Sequence, residues 1–223
     1  MQNPNSKLTS EEKEYYSLLK RVFDVLAPFY DFVALPLSRV RDKVIDITNA
    51  KGRSRILDVA TGTGGQAFAF GRKGYDVTGI DLSEAMLNVA NKKNKYKNVR
   101  FQLADAINLP FENSSFDVSC ISFALHDMPL TIGEKALKEM ARVTKQEGVI
   151  IIVDYALPKN RIGRFLIYHL VRLYECNYYS KFIKYDLGAL LRRSQIEIES
   201  EMPMVLGAVR ILKGIRKTAL NVT

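Results

Sequence analysis

The sequence predicts an α/β protein built on a doubly wound, mainly parallel sheet. Short apolar strands alternate with helical patterns between residues 55 and 153, and a glycine-rich turn follows the first of these strands. The chain has 223 residues, 47% of them hydrophobic, which is enough to bury one large core. Right-handed helical crossovers between parallel strands produce this alternation. We therefore expect a single sheet with helices on both faces.

Two helical segments precede the predicted sheet. Residues 9–12 match a capping box, and the helix that they begin runs to Leu26, two residues before a proline. A second helical pattern runs from Pro36 to about Asn49. We expect residues 1–50 to form a helical lid on a ligand-binding domain of residues 51–223.

Seven strands and their connecting helices follow. The predicted strands are Arg55–Ala60, Tyr75–Ile80, Val99–Leu103, Phe116–Phe123, Val149–Val153, Ile196–Met202 and Val209–Ile215. One predicted helix follows the glycine-rich turn and ends near Phe70, and two others run from Ser83 to Lys95 and from Ile132 to Thr144. A further helical stretch begins near Asn160, in an insert of about residues 160–193. Gly207 separates the last two strands, which indicates an antiparallel hairpin at the sheet edge.

The last third of the chain carries most of the net charge of +9. Residues 159–223 hold 12 Lys or Arg against 5 Asp or Glu. In its first helix, one face holds Arg161, Arg164, Tyr168 and Arg172, and another holds Ile162, Leu166, Leu170 and Leu173. Three interpretations of this region stay open. The residues that follow the helix would form an aromatic substrate lid or a surface for lipid headgroups, and they are Tyr174, Tyr178, Tyr179, Phe182 and Tyr185 with Lys181 and Lys184. The alternative is a helix packed on the sheet with its basic side in water.

Several classes of protein are excluded by what the sequence lacks. The longest strongly apolar stretch, Val149–Val153, is far shorter than the roughly 20 residues of a spanning helix. The first residues do not read as a secretory signal, so we expect a cytoplasmic location, with contact at a membrane periphery as an alternative. Cys120 and Cys176 are predicted to be structural thiols, and no metal site is expected from two His and unpaired Cys.

The glycine-rich turn predicts a site for an anionic or nucleoside-containing ligand. Gly62, Gly64 and Ala67 fit a dinucleotide-type pattern, and Asp81 lies at the distance expected of a ribose-binding acid. The carboxyl ends of parallel strands are where such folds bind ligands. On its own, this match does not separate a dinucleotide from other nucleosides.

Three further features argue against a nicotinamide cofactor. Asp58 ends the first strand, where a carboxylate would repel a pyrophosphate but suits a ligand with an ammonium group and a sulfonium. Asp105 adds a second acid at the end of the third strand. No second domain remains to hold a hydride-transfer substrate.

Five motifs in order resemble those of the class I S-adenosylmethionine-dependent methyltransferases, over nearly the whole chain. They are Asp58–Gly64 with Ala60 at the first glycine, Gly79–Leu87, Ala104–Ala106, Phe116–Ser119, and Glu139–Val143 followed by Gly148. The resemblance implies a Rossmann-like methyltransferase that uses S-adenosylmethionine. It also implies the cofactor-binding residues Tyr30, Asp58, Ala60, Thr61, Gly62, Gly64, Asp81, Leu82, Met86, Asp105, Ala106, Ile107 and Ser122.

Within this family, the segment Val22–Asp31 is similar to the N-terminal part of the ubiquinone/menaquinone C-methyltransferase group. Leu82-Ser83 and Met86-Leu87 are similar to the same group. The likeness implies that Tyr30 belongs to a lid over the cofactor. The tail from Met202 to Leu212 lacks the group's Gly- and Asn-rich ending, so a small-molecule or lipid-like acceptor is expected without fixing a quinone.

His126 and Asp127 follow the fourth strand and are the candidate catalytic residues. Phenol, amine or enolate-like acceptors lose a proton on methylation, and an imidazole or carboxylate at the mouth of the site supplies the base. The alternative for His126 is a pocket-lining residue that transfers no proton. Asp154 and Tyr155 end the fifth strand at the same edge and are predicted to contact substrate.

Two other functions fit the sequence less well. The basic C-terminal third would suit an RNA or protein methyltransferase. However, an RNP-like motif is absent, and Ser122–Leu125 replaces the Asn/Asp-Pro-Pro-Tyr motif of several nucleic-acid amino methyltransferases. A non-catalytic adenosylmethionine-binding protein is the third alternative, and the oligomeric state is open.

Overall fold

A computed structural model describes residues 8–34, 37–172 and 178–217. The helices are α1 (Ser10–Leu26), α2 (Tyr30–Ala34), α3 (Ser38–Thr48), α4 (Gly65–Arg72), α5 (Glu84–Lys93), α6 (Leu130–Val143), α7 (Arg161–Arg172), α8 (Tyr179–Phe182) and α9 (Leu187–Arg193). The strands are β1 (Arg55–Val59), β2 (Asp76–Asp81), β3 (Val99–Leu103), β4 (Phe116–Ser122), β5 (Thr144–Tyr155), β6 (Ile196–Met204) and β7 (Val209–Arg216). Short 3₁₀ turns cover Leu125–Asp127 and Val205–Gly207.

The seven strands form one sheet in the order β3-β2-β1-β4-β5-β7-β6. Strands β1 to β5 are parallel, while β7 runs antiparallel to both of its neighbours, β5 and β6. The predicted doubly wound sheet with a C-terminal antiparallel hairpin is confirmed. Because β1 and β4 are neighbours and their crossovers leave in opposite directions, a crevice opens at their carboxyl ends.

Two apolar clusters cover the two faces of the sheet. Alternating residues of β1 show the division, since Leu57 packs in the cluster that contains Ile132 of α6, and Ile56 in the one that contains Phe70 of α4. Cys120 is buried in the second cluster, and burial raises the pKa of its thiol well above the usual range. Cys120 therefore matches the predicted structural thiol, whereas Cys176 lies outside the described residues.

Strand β5 starts earlier than the sequence predicts. Thr144 follows α6 directly and pairs with Phe116, but the register then shifts before Val149 pairs with Val118. Glu147 adopts a left-handed φ of 57° within this segment. The irregular register breaks the period-2 pattern, so only the regular part of the strand could be recognised from apolar residues.

Helix α1 carries the predicted capping box and lies across the carboxyl end of the sheet. The Thr9 amide donates to Glu12 Oε2 at 2.9 Å, and the Glu12 amide donates to Thr9 Oγ1 at 3.2 Å. Lys135 of α6 donates to the other Glu12 oxygen at 2.8 Å, which lowers the pKa of Glu12 to about 2. A single glutamate thus caps α1 and fastens it to α6.

Helix α7 does not pack its predicted apolar face on the sheet. Ile162 and Leu166 are exposed, whereas Tyr168, from the face predicted to be basic, donates a hydrogen bond to Ser180 Oγ at 3.4 Å. Of the three interpretations of this helix, packing with the apolar side inward is wrong for these residues. Leu173 lies outside the described residues.

Among the described helices, none is both long enough and apolar enough to cross a bilayer. The division of the chain at residue 50 stays a prediction, and α1 and α3 share the two apolar clusters with the sheet.

Candidate functional site

The turn after β1 forms the floor of the site. Ala60, Gly62 and Gly64 have φ values of 53°, 54° and 85°, all in the left-handed region. A Cβ on Gly64 would lie 2.8 Å from the Phe101 ring, so glycine is required there by space as well as by conformation. Ala60, which stands where the family's first glycine is expected, is strained at this φ.

Asp81 holds the turn in place from the end of β2. Its two carboxylate oxygens accept hydrogen bonds from the Gly62 amide at 2.7 Å and the Ser83 amide at 2.9 Å. Burial raises the pKa of Asp81 above its usual value. The carboxylate lies on the wall of a cavity of about 520 Å³, where a pair of ribose hydroxyls would be suitable donors.

Asp105 lies on the same wall at the end of β3. The Tyr16 hydroxyl of α1 donates to Asp105 Oδ2 at 2.9 Å, and the Ile107 amide donates to Oδ1 at 3.1 Å. Burial and the nearby Asp105 charge raise the pKa of Tyr16 well above its usual value. Tyr16 is therefore a neutral donor that links the roof of the cavity to its wall.

A smaller cavity of about 50 Å³ continues from the other side of the turn. Tyr30, Ala60, Gly62 and Phe123 line both cavities and form the waist between them. A Cβ on Gly62 would lie 3.8 Å from Tyr30 Cε1, so the tyrosine sits directly over the turn. The two cavities together make an elongated site that bends at this waist.

The smaller cavity contains Asp58, which is fully buried. The Thr61 hydroxyl donates to Asp58 Oδ2 at 2.5 Å. Burial raises the pKa of Asp58 to about 7, because the low-dielectric surroundings disfavour the charged form. A ligand ammonium group at this carboxylate would restore its charge.

Two residues that sequence reasoning missed face Asp58 across the smaller cavity. Arg41 of α3 lies against the turn after β1, since a Cβ on Gly65 would be 2.8 Å from its guanidinium. Gln66 of α4 has a buried side-chain amide nitrogen without a hydrogen-bond partner among the described residues. A guanidinium and an amide donor suit a carboxylate. The cavity therefore fits an amino acid, with its ammonium at Asp58 and its carboxylate at the other two residues.

The remaining wall of the larger cavity is apolar and comes largely from α1. Tyr15, Leu19 and Phe23 line it from above, opposite Met128 and Ile132. These three residues of α1 are four positions apart, and this helical spacing is the feature of the sequence that could have identified the face. Because the roof is aromatic and aliphatic, the space beyond the waist suits an apolar acceptor.

His126 and Asp127 follow β4 but lie at different depths. Asp127 lines the larger cavity, whereas His126 is buried behind it. His126 Nδ1 is 2.7 Å from Asp154 Oδ1, and its Nε2 is 3.5 Å from Asp127 Oδ2. The imidazole therefore sits between a buried carboxylate and one that faces the cavity.

Asp154 and Tyr155 lie outside the cavity walls, which differs from the expectation that they contact substrate. Asp154 is buried and accepts hydrogen bonds from the His126 amide, the His126 ring and the Tyr155 amide. The Tyr155 ring packs against the His126 ring with centroids 4.7 Å apart. Both residues contact the imidazole, because β5 is the neighbour of β4 in the sheet and ends beside the loop that follows β4.

The other candidate residues are distributed over the two cavities. The larger cavity is lined by Tyr30, Ala60, Gly62, Asp81, Leu82, Met86, Asp105, Ala106 and Asp127. The smaller cavity is lined by Asp58, Thr61 and Ser122 together with Tyr30, Ala60 and Gly62. Gly64 and Ile107 support these walls from behind. The Gly64 carbonyl accepts a hydrogen bond from the Phe68 amide, and the Ile107 amide donates one to Asp105.

Comparison with known proteins identifies the class. Residues 57–152 match a family described as a methyltransferase domain. A demethylmenaquinone methyltransferase of Paenarthrobacter aurescens is 39% identical over 142 residues, which cover 61% of this chain and 54% of the relative. Another, from Staphylococcus haemolyticus, is 36% identical over 164 residues, covering 71% of this chain and 64% of the relative. The chain thus spans somewhat over half the length of these relatives.

The fold also recurs in solved structures. The [4+2]-cyclase SpnF has a TM-score of 0.69 at 17% identity, covering 91% of this chain and 97% of that one. The motif series and the topology agree with the match of residues 57–152 to a methyltransferase domain, and the fold is that of the class I S-adenosylmethionine-dependent methyltransferases. S-adenosylmethionine is the methyl donor that this fold and the methyltransferase-domain match indicate.

Proposed function

We propose that the protein transfers a methyl group from S-adenosylmethionine to a small apolar acceptor that carries an acidic hydroxyl, of which a hydroquinone is the best example. The observation that supports this most strongly is the larger cavity, where an apolar chamber under α1 adjoins the carboxylate of Asp127, with the buried His126 behind it. The names of the relatives from Paenarthrobacter and Staphylococcus favour a quinone-type acceptor.

The shape of the site fits the methyl donor. Asp81 and Asp105 supply acceptors for a ribose and an adenine amino group in the larger cavity, while Asp58, Arg41 and Gln66 supply the amino-acid end in the smaller one. The unpartnered Gln66 amide and the space at Gly62 are what such a ligand would fill. When bound, the donor supplies an electrophilic methyl group on a sulfonium.

The described residues account for the proton that a hydroquinone loses. In our proposal, Asp127 accepts the hydroxyl proton and shares it with His126 Nε2, while Asp154 stabilises the positive charge on the imidazole. The deprotonated ring then attacks through carbon as the sulfur–methyl bond breaks. The ring C–H proton then leaves and the oxygen regains a proton, so one methyl group is gained and one proton is released overall.

The roof of the cavity supports a small acceptor over a macromolecular one. Helix α1 covers the chamber with Tyr15, Leu19 and Phe23, and the hydrogen bond from Tyr16 to Asp105 ties it down. A chamber closed in this way excludes water, which protects a reactive methyl donor. A nucleobase or a protein side chain would need α1 to move aside.

The function is tested by transfer of labelled methyl groups into a cell extract and then into a reduced naphthoquinone with the purified protein. We expect label in the organic-soluble fraction, and an Asp127→Asn variant to lose about 10²–10⁴-fold in kcat with little change in donor affinity. Asp24→Asn is the matched control, because Asp24 is a second carboxylate at the rim of the same cavity. Label in macromolecules would instead support an RNA or protein acceptor, and donor binding without any transfer would support a non-catalytic role.

A further inference from the structure

We propose that an exposed apolar and basic surface at the start of α7 binds the surface of an anionic lipid bilayer. This surface, called the α7 patch, consists of Ile162, Phe165, Leu166, Val205 and Leu206 with the neighbouring Lys159, Arg161 and Arg164. Ile162, Phe165 and Leu166 are 76%, 63% and 59% exposed, and Leu206 is 99% exposed. Side chains of this size are normally exposed singly rather than as a group.

Hydrogen bonds and close contacts bring the two parts of the α7 patch together. The Arg164 Nε donates to the Pro158 carbonyl at 3.3 Å, which joins α7 to the segment before it. A Cβ on Gly207 would lie 3.4 Å from the Pro158 Cα, and the Ala156 amide donates to the Ala208 carbonyl at 2.9 Å. The turn of residues 205–207 is therefore a neighbour of the first turn of α7.

The exposed residues of α7 share one side of the helix. At about 100° per residue, Phe165, Ile162 and Leu166 fall within an arc of about 100°. Arg161 borders this arc and His169 lies within it, while the opposite side holds the partly buried Ile167 and the exposed Arg164. An apolar stripe with a basic border is the pattern of helices that lie in a membrane interface.

The turn that displays Leu206 is strained. Val205, Leu206 and Gly207 have consecutive φ values of 49°, 55° and 88°. The left-handed region is unfavourable for leucine and more so for a β-branched valine. A strained backbone that places an apolar side chain almost entirely in solvent is expected where that side chain meets a partner.

The charge around the α7 patch selects an anionic partner. Residues 155–172 contain four Lys or Arg and no Asp or Glu. Of the three acids on β6, Glu197 and Glu199 pair with Lys217 and Lys213 at 2.9 and 3.2 Å, which leaves Glu201 as the acid of that strand outside the salt bridges of the described residues. Lys159, Arg161 and Arg164 are exposed, and of the two arginines Arg161 borders the apolar arc.

A bilayer satisfies both properties of the α7 patch, and other partners satisfy only one. A symmetric contact with a second copy would place like charges against each other. A nucleic acid would neutralise the basic residues and leave Ile162 and Leu206 in water. Acidic headgroups above an acyl layer pair with the cations and bury the apolar side chains.

The position of the α7 patch also relates it to the cavity. Helix α7 follows the carboxyl end of β5, the edge of the sheet at which the cavity opens. If the proposed function holds, an acceptor dissolved in the bilayer would reach the site from this edge. Vesicle binding itself does not depend on methyl transfer, so the two proposals fail separately.

The test is co-sedimentation of the whole chain with vesicles of phosphatidylcholine, with and without phosphatidylglycerol. We expect binding to the anionic vesicles, reduced by about tenfold in Leu206→Asn, because one fully exposed leucine loses its apolar partner. Asparagine tolerates the left-handed region, so this variant should fold at least as well as the native chain. Ile198→Asn, on β6, is the matched control and should bind like the native chain.

A second pair of variants separates the α7 patch from the overall basic charge. Lys159→Glu with Arg161→Glu should abolish binding, whereas Lys95→Glu with Lys97→Glu, an equal change in net charge, should retain most of it. Equal losses in the two double variants, equal binding to neutral vesicles, or native binding by Leu206→Asn would each overturn the proposal. Sedimentation as a dimer that Leu206→Asn disrupts would assign the surface to a second copy instead.

Discussion

Asp58 shows how one buried carboxylate links cofactor binding to pH. Its pKa of about 7 means that the free protein holds it largely neutral below that pH. A ligand ammonium group binds the ionised form, so donor affinity should increase as the pH rises through 7. Below that point we expect the Kd to rise by up to about tenfold per pH unit.

Asp58 also lowers the stability of the folded protein, and this effect can be measured. A carboxyl whose pKa is raised on folding destabilises the folded protein above its unfolded pKa, and increasingly so as the pH rises toward 7. Asp58→Asn should therefore raise the free energy of unfolding at pH 8 by about 1 kcal/mol or more, or about 2–4 °C in Tm, while weakening donor binding. Thermal melts of both proteins at pH 5 and pH 8 check this, and an equal difference at the two pH values would contradict it.

Asp154 is a positioning residue, and its variant has a distinct kinetic signature. Asp154→Asn leaves the imidazole of His126 in place but removes the charge that stabilises it when protonated. We expect kcat to fall by about tenfold or more with unchanged donor affinity, and the acidic limb of its pH profile to move to lower pH. A uniform loss of kcat without a change in the profile would indicate a purely structural role.

Ala60 tests the backbone of the binding turn. At a φ of 53° alanine pays a conformational penalty that glycine does not. After allowance for the greater entropy of glycine in the unfolded chain, Ala60→Gly should stabilise the protein by about 0.5 kcal/mol. Ala69→Gly, within α4, is the control and should destabilise it by about 1 kcal/mol. Urea denaturation of both variants measures the two effects.

At the scale of elements, α1 is a roof whose attachment is electrostatic. The lowered pKa of Glu12 gives α1 a contribution to stability that is complete above about pH 4.5 and is lost as the pH falls toward about 2. Glu12→Gln should release the bound cofactor product several-fold faster at pH 7 and increase hydrogen exchange in α1. Glu134→Gln is the control, because its partner Lys138 lies on the same exposed helix face. Equal product release in the two variants would mean that α1 does not gate the site.

The strands and helices were largely predictable from the sequence, and the contacts between them were less so. Apolar runs such as Ile56–Val59 and Ile150–Val153 are buried on both faces, so their composition alone identified parallel strands. A helical lid of residues 1–50 was expected, but the contact that attaches α1 to the cavity wall was not, because Tyr16 reaches Asp105 across 89 positions of sequence. The orientation of α7 was also missed, since an amphipathic pattern shows that two faces differ without showing which one meets the sheet.

Site residues at strand ends could be located from the sequence, but not their depth. Asp81 and Asp105 fall on the cavity wall because the carboxyl ends of parallel strands share one edge. Arg41 and Gln66 carry no motif, so only the fold brings them to Asp58. His126 and Asp127 are adjacent in sequence, and the 3₁₀ turn that contains them decides which one faces the cavity.

At the scale of the whole molecule, ligand binding and global stability are coupled. The product S-adenosylhomocysteine, present at about 100 times its Kd, should raise the free energy of unfolding by about 2.7 kcal/mol and the Tm by about 5–10 °C. Asp81→Ala should melt cooperatively but show no shift over the same concentration range. A shift of equal size in that variant would mean that Asp81 does not hold the ribose.

The position of α1 ahead of its anchoring partners in the sequence has a consequence for biosynthesis. Its anchoring partners, Asp105, Lys135 and Lys181, lie 89, 123 and 170 positions downstream. During translation the aromatic face of α1 emerges from the ribosome before any of these partners exists, and at roughly 5–20 residues per second it waits for seconds or longer. The helix that closes the site is thus made before the residues that anchor it, and in that interval its apolar side chains are available to chaperones.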